Sequence, residues 1–171
     1  MANRAKYNIA VVMLAQGKIF PNCKVPTGMT ENVSTLKSAN VPVIAAVGND
    51  GNHTAVFSPA CLPDTVYIGA TDNPWPGVQP IEYDKNAIPY IARYSNGATG
   101  QTDFFLNARW NVTKLDGTQR FQVGTSNSTA VMAGLWLQNR KATFDATFNY
   151  FIGISTNIKN EFINGRYIST P

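Results

Sequence analysis

The stretch VPVIAAVGNDG, residues 41–51, is a near-continuous run of β-branched and small apolar residues that stops at a glycine, an asparagine and an aspartate. A run of this kind suits a strand buried on both faces, as in a parallel sheet whose two sides are covered by helices. NIAVVML (8–14) has the same character, and TVYIGA (65–70) is a third such run. Between the first two, TGMTENVSTLKSAN (27–40) places Met29, Val33, Leu36 and Lys37 at helical spacing, with Thr30 able to cap. That segment reads as the crossover helix of a βαβ unit, because parallel neighbours need a long connection. The expected fold class is therefore α/β.

Outward from that core the chain changes texture. DNPWPGVQPIEYDKNAIPY (72–90) holds four prolines and reads as an extended surface loop. IARYSN (91–96), TDFFLNA (102–108) and RFQV (120–123) are short strand candidates. VGTSNSTAVMAG (123–134) then opens on hydroxyl and amide residues, Thr125 to Thr129, that suit the capping of a helix start. It continues through Leu135, Trp136 and Leu137 as a helix apolar almost all round, which predicts burial. The first turn of such a helix presents free N–H donors and partial positive charge, a favourable place for negative charge on a substrate oxygen. No repeat, low-complexity block or linker divides the sequence, so residues 1–171 are expected to form one domain.

Composition removes several function classes. The chain is 44% hydrophobic and 14% charged, which suits a globular core and not a disordered segment. Its net charge is +4, but the Lys and Arg residues are scattered singly without a basic stripe, so nucleic acid is not an expected partner. No apolar run approaches the roughly 20 residues that span a bilayer, and MANRAKYNIAVVML lacks a signal-peptide pattern, so neither a membrane nor a leader is expected here. Two cysteines, Cys23 and Cys61, and one histidine, His53, are too few for a zinc site of ordinary spacing. By spacing alone those cysteines are either two free thiols or one bridge.

Asn49 stands at the carboxyl end of the 41–47 strand, where ligands gather in open α/β sheets, and Gly48 and Gly51 beside it permit a sharp turn. Alone, Asn-Asp-Gly means only a turn. The order is more informative than the piece. YNIAVVMLAQG, VPVIAAVGNDG, FSPACLPDTVYIGATD, ARYSNGATG and GTSNSTAVMAG follow one another in a series that resembles the subtilisin-like serine proteases, clearest from Tyr7 to Gly134.

The resemblance implies a three-layer fold, a mostly parallel sheet flanked by helices, incomplete on its N-terminal side. It makes Ser126 the nucleophile of acyl transfer and Asn49 the side-chain donor of the oxyanion hole, with the Ser126 N–H as second donor. Ala15, Gln16 and Gly17 would be the strand on which an extended peptide pairs, and Ala46, Val47 and Gly48 the opposite wall of the side-chain pocket. It also implies a Cys23–Cys61 disulfide, hence a secreted or periplasmic parent protein. Calcium is usual in that family, although no carboxylate cluster here marks a site, and no other cofactor or metal is implied.

In the family the triad's Asp and His precede the strand at Asn8, so neither is expected among these residues, and a missing N-terminal half of the catalytic domain is an expected partner beside the peptide or protein substrate. His53, four residues past Asn49 in a polar loop pattern, reads as an ordinary exposed or half-buried histidine. The edge of the 8–14 strand would be long, apolar and unpaired. Ala130 and Val131 stand where the family places a proline and a histidine, DFFLNA replaces a segment ending in Ala-Pro-Gly, and Met13, Ala15 and Gln16 stand where Asn, Ser and Leu are typical. Those departures motivate an alternative: a degenerate, non-catalytic relative that keeps the scaffold as a binding module. An unrelated α/β domain is the third reading.

Overall fold

A computed structural model describes residues 2–72, 90–97, 100 and 102–169. Its elements run α1 (Ala2–Lys6), β1 (Val12–Leu14), α2 (Met29–Ser38), β2 (Val43–Ala46), β3 (Thr65–Asp72), β4 (Tyr90–Ile91), β5 (Phe104–Asn107), β6 (Trp110–Thr113), β7 (Gln119–Gln122), α3 (Thr125–Asn139), α4 (Phe144–Ile154), β8 (Thr156–Lys159) and β9 (Asn164–Tyr167). The main sheet has the order β1-β2-β3-β5-β9-β8, with β4 added to β3. β1, β2, β3, β5 and β9 are parallel, while β4 and β8 run antiparallel to their neighbours. β6 and β7 form a separate hairpin.

Two of the three apolar runs, β2 and β3, lie inside this sheet, and the third, β1, is its edge. Along β2, Ile44 packs with Val66, Ile68, Phe104 and Leu106 beneath Met132 and Trp136 of α3 and Phe151 of α4. Val43 points to the opposite face and joins Val33 and Leu36 of α2. Alternate side chains of one strand thus enter two cores, which requires the all-apolar sequence. The layers are α3 and α4, the sheet, and α2.

Three expectations are corrected in detail. The 8–14 strand is only Val12–Leu14. Pro42 explains the limit: Val12 N–H donates to the Pro42 carbonyl at 2.9 Å, but Pro42 has no N–H to continue the parallel ladder upstream. The sheet edge at β1 is accordingly short and half-buried, with Met13 alone strongly exposed. Thr30 does not cap α2; the cap position is Gly28, in the left-handed region at φ 81°, and no side chain caps there. The helix starts earlier because Met29 N–H bonds the Pro26 carbonyl and Asn32 N–H the Gly28 carbonyl, which leaves Thr30 inside the first turn. α3 is buried on one stripe only, through Thr125, Ser128, Thr129, Met132, Ala133 and Trp136, while Ala130, Gly134 and Leu137 face outward. The proline-rich loop expected at 72–90 lies, apart from its end residues, outside the described residues.

Candidate functional site

Two loops and one helix start meet at the carboxyl end of the sheet. The segment after β1 carries Ala15, Gln16 and Gly17, the segment after β2 carries Val47, Gly48 and Asn49, and α3 begins at Thr125. Asn49 Oδ1 accepts two hydrogen bonds from Thr125, one from its N–H at 2.9 Å and one from its hydroxyl at 3.0 Å. The amide oxygen is thereby used, and the Asn49 Nδ2 donors have no partner among the described residues. Asn49 itself is exposed.

Each neighbour of Ser126 is tied to the sheet. Asn127 Nδ2 donates to the Ala108 carbonyl at 3.0 Å and Ser128 Oγ to the Leu106 carbonyl at 2.9 Å, both at the end of β5. Thr129 Oγ1 donates to the Thr125 carbonyl at 2.7 Å. Most of the hydroxyl and amide side chains that the sequence offers as caps, those of Thr125, Asn127 and Ser128, are used instead to dock the first turn. Ser126, half-buried, turns its hydroxyl to the Ala15 carbonyl at 2.9 Å, across the gap from the segment after β1. Its N–H, in the first turn of α3, has no acceptor among the described residues. Gly124, which precedes the helix at φ 143° and ψ 153°, makes the sharp entry to this turn with backbone that L side chains rarely adopt.

Asn96 holds the loop around Asn49. Its Oδ1 accepts from the N–H groups of Asp50 and Asn52, both at 2.9 Å, and its Nδ2 donates to the Val47 carbonyl at 3.1 Å. The Asn96 N–H adds a bond to the Gly48 carbonyl at 2.9 Å. Ser95, also fully buried, accepts from Ala70 N–H and donates to the Asn96 carbonyl, fixing this segment on β3. Sequence reading placed ARYSNGATG in the series without giving Asn96 a function; an asparagine before a glycine after a strand was the available signal.

Cys23 and Cys61 form a disulfide with a Cα separation of 5.8 Å, joining the loop after β1 to the loop before β3. His53 is half-buried with its ring on Phe162 at 4.2 Å between centroids, as a loop histidine. Among the described residues no three His, Cys, Asp or Glu side chains gather to hold a metal ion, and no helix is long and apolar enough to cross a membrane.

This chain superposes on solved proteases over nearly its whole length. It matches the S41 psychrophilic protease with a TM-score of 0.70 at 19% identity, covering 96% of this chain and 54% of that one. It matches the prenylagaramide maturation protease PagA with a TM-score of 0.69 at 18% identity, over 94% of this chain and 57% of that one. The fold is subtilisin-like. The PatG macrocyclase, solved in complex with a peptide, matches at a TM-score of 0.65 and 16% identity, over 95% of this chain and 47% of that one. The subtilisin-like chain described here thus spans about half the length of these structures. No family model and no curated protein matches the sequence.

Proposed function

We propose that this chain supplies the acyl-transfer part of a secreted subtilisin-like serine endopeptidase. Ser126 Oγ attacks the carbonyl of a peptide bond, and the oxyanion is held between Asn49 Nδ2 and the Ser126 N–H. The observation that carries this reading is the pair of hydrogen bonds that Thr125 donates to Asn49 Oδ1, which leaves the amide's donor end free beside the start of α3. A donor fixed before the reaction costs no reorganisation when charge develops, and the helix start adds its own positive end. The peptide pairs along Ala15, Gln16 and Gly17, with Ala46, Val47 and Gly48 as the opposite wall.

The base and its orienting carboxylate come from sequence other than the described residues. The only histidine, His53, packs its ring at a tilt against Phe162. Without a base, the oxyanion hole and binding leave about 10³–10⁴-fold catalysis over water, a magnitude taken from this protease family's own mutants. A Cys23–Cys61 bridge fits an oxidising compartment for the parent protein.

A second reading, the non-catalytic binding module, draws on one contact. The Ser126 hydroxyl donates to the Ala15 carbonyl, an acceptor that substrate backbone would need. Fluorophosphonate labelling separates the two readings. The chain alone is expected to react no faster than a free serine; bound to a subtilase segment bearing the Asp and His, it is expected to react at Ser126 and to cleave casein, and Ser126→Ala to abolish both. Rapid labelling of the chain alone would overturn the external base. Casein cleavage undiminished in Ser126→Ala would overturn the nucleophile, and a complex that never labels favours the module.

A further inference from the structure

The ring of Phe57 occupies the space between the two segments proposed to hold the substrate. A Cβ placed on Gly17 would lie 2.9 Å from Phe57 Cβ and 3.2 Å from its Cδ2. A Cβ placed on Gly48 would lie 2.5 Å from both Cδ1 and Cε1, the other edge of the same ring. The phenyl therefore spans the gap from one glycine to the other. Its backbone is pinned on both sides: Phe57 N–H donates to the Val47 carbonyl at 2.8 Å, and Ser58 N–H to the Lys18 carbonyl at 2.9 Å. The Cys23–Cys61 disulfide ties the same two loops together a few residues away. Phe57 is half-buried, so its ring closes the space without being part of the deep core.

We infer that Phe57 is a specificity-determining residue that restricts the substrate position supplying the cleaved carbonyl to glycine or alanine. This rests on the proposed function, since the space between Gly17 and Gly48 is a substrate pocket only if a peptide pairs along Ala15–Gly17. The glycines give up their own side-chain volume, but the room they leave is filled from within the protein. A branched or aromatic substrate side chain would need to displace a ring packed against both walls. Glycine and alanine need no such displacement.

The test uses peptidyl diphenyl phosphonates carrying Gly, Ala, Val or Phe analogues at that position, with the chain bound to the Asp- and His-bearing segment. The Ala analogue is expected to modify Ser126 at least tenfold faster than the Phe analogue. Phe57→Ala is expected to raise the Phe analogue's rate relative to the Gly analogue's by about 10- to 100-fold, the range that side-chain fit in an apolar pocket gives. Phe57→Val serves as a second, smaller opening, and both variants are checked for native melting. Equal rates for the Ala and Phe analogues in the unmodified protein, or an unchanged ratio in both folded variants, would overturn the inference. Binding needs no acyl transfer, so product peptides ending in Gly or Phe are also titrated while the amide resonances of Gly17 and Gly48 are followed. Preference for Gly that Phe57→Ala removes, with Ser126 unreactive, sinks the acyl-transfer reading and leaves the pocket inference standing. A reactive Ser126 that accepts Phe freely does the reverse, and no shift from any peptide in any variant overturns the pocket inference.

Discussion

Asn49 and Thr125 are 76 positions apart and share one oxygen: the Asn49 side-chain carbonyl takes both the backbone N–H and the hydroxyl of Thr125. The bond does two jobs that substitution can separate. It satisfies a buried N–H at a helix start, and in the proposed function it orients an amide donor toward the substrate oxygen.

Asn49→Asp keeps the acceptor and removes the donor. The expected outcome is a protein that melts close to the parent but, in the reconstituted protease, turns over about 10²–10³-fold more slowly, the loss known for subtilisin's own oxyanion asparagine. Asn49→Ala removes both, so stability is expected to fall as well, by about 1–3 kcal/mol for an unsatisfied buried donor. Urea melts and casein turnover of the two variants check the split.

The Cys23–Cys61 bridge closes a loop with a sequence separation of 38. Chain-entropy accounting assigns such a crosslink about 3–4 kcal/mol. A thiol count under denaturing, non-reducing conditions should return no free thiol, and reduction should lower the unfolding midpoint by an amount that the double Cys→Ser variant reproduces.

Asp103 precedes β5 and receives Tyr67 N–H on its Oδ2 at 2.8 Å. Burial pushes its carboxyl up to about 6, against that bond and the positive Arg166. A carboxyl whose folded pKa lies above its unfolded value favours the folded state when protonated. Its contribution is complete below the unfolded value and is lost as pH rises through about 6. Asp103→Asn should therefore gain on the parent between pH 4 and 7, by no more than about 3 kcal/mol. A parent-minus-variant stability difference that is flat over that range would refute the assignment.

Arg109 grips Asp72 with two bonds, Nε to Oδ1 at 2.6 Å and Nη2 to Oδ2 at 2.8 Å. The pair joins the end of β3 to the residue before β6, and Asp72 raises the Arg109 pKa above its ordinary value. Because Asp72 is buried, Asp72→Ala is expected to cost about 1.5–3 kcal/mol, more than an exposed pair would. A double-mutant cycle with Arg109→Ala should show positive coupling, since each single change strands a charge.

The core of this fold is written in local residue patterns, and the finer parts are not. VPVIAAV and TVYIGA declare a doubly covered sheet because each alternate residue must be apolar there, and Ile44 and Val43 do enter separate cores. Met29, Val33 and Leu36 declare the inner face of α2. Strand ends depend on partners: the limit of β1 is set by Pro42 on its neighbour, which a reading of 8–14 by itself does not include. The β6–β7 hairpin escaped notice although Asp116 and Gly117 form its turn, with Gly117 at φ 79°. α1 follows no periodic apolar pattern to signal it. At the candidate site, the order of segments in the chain was enough to expect Asn49 and the start of α3 to meet, whereas the contacts of Asn96 and Phe57 are ones that no spacing encodes.

Asn96 also decides how large a piece of this protein can be moved. The loop from Val47 to Asn52 has the sequence of a self-sufficient turn, yet three of its backbone groups are tied to the side chain of Asn96, in a different segment. Grafted alone onto another sheet, the GNDG loop would lose its template and Asn49 its aim. The smallest portable unit is a pair of segments, one carrying Asn49 and one, 44 to 49 residues on, carrying the mould in which it is cast.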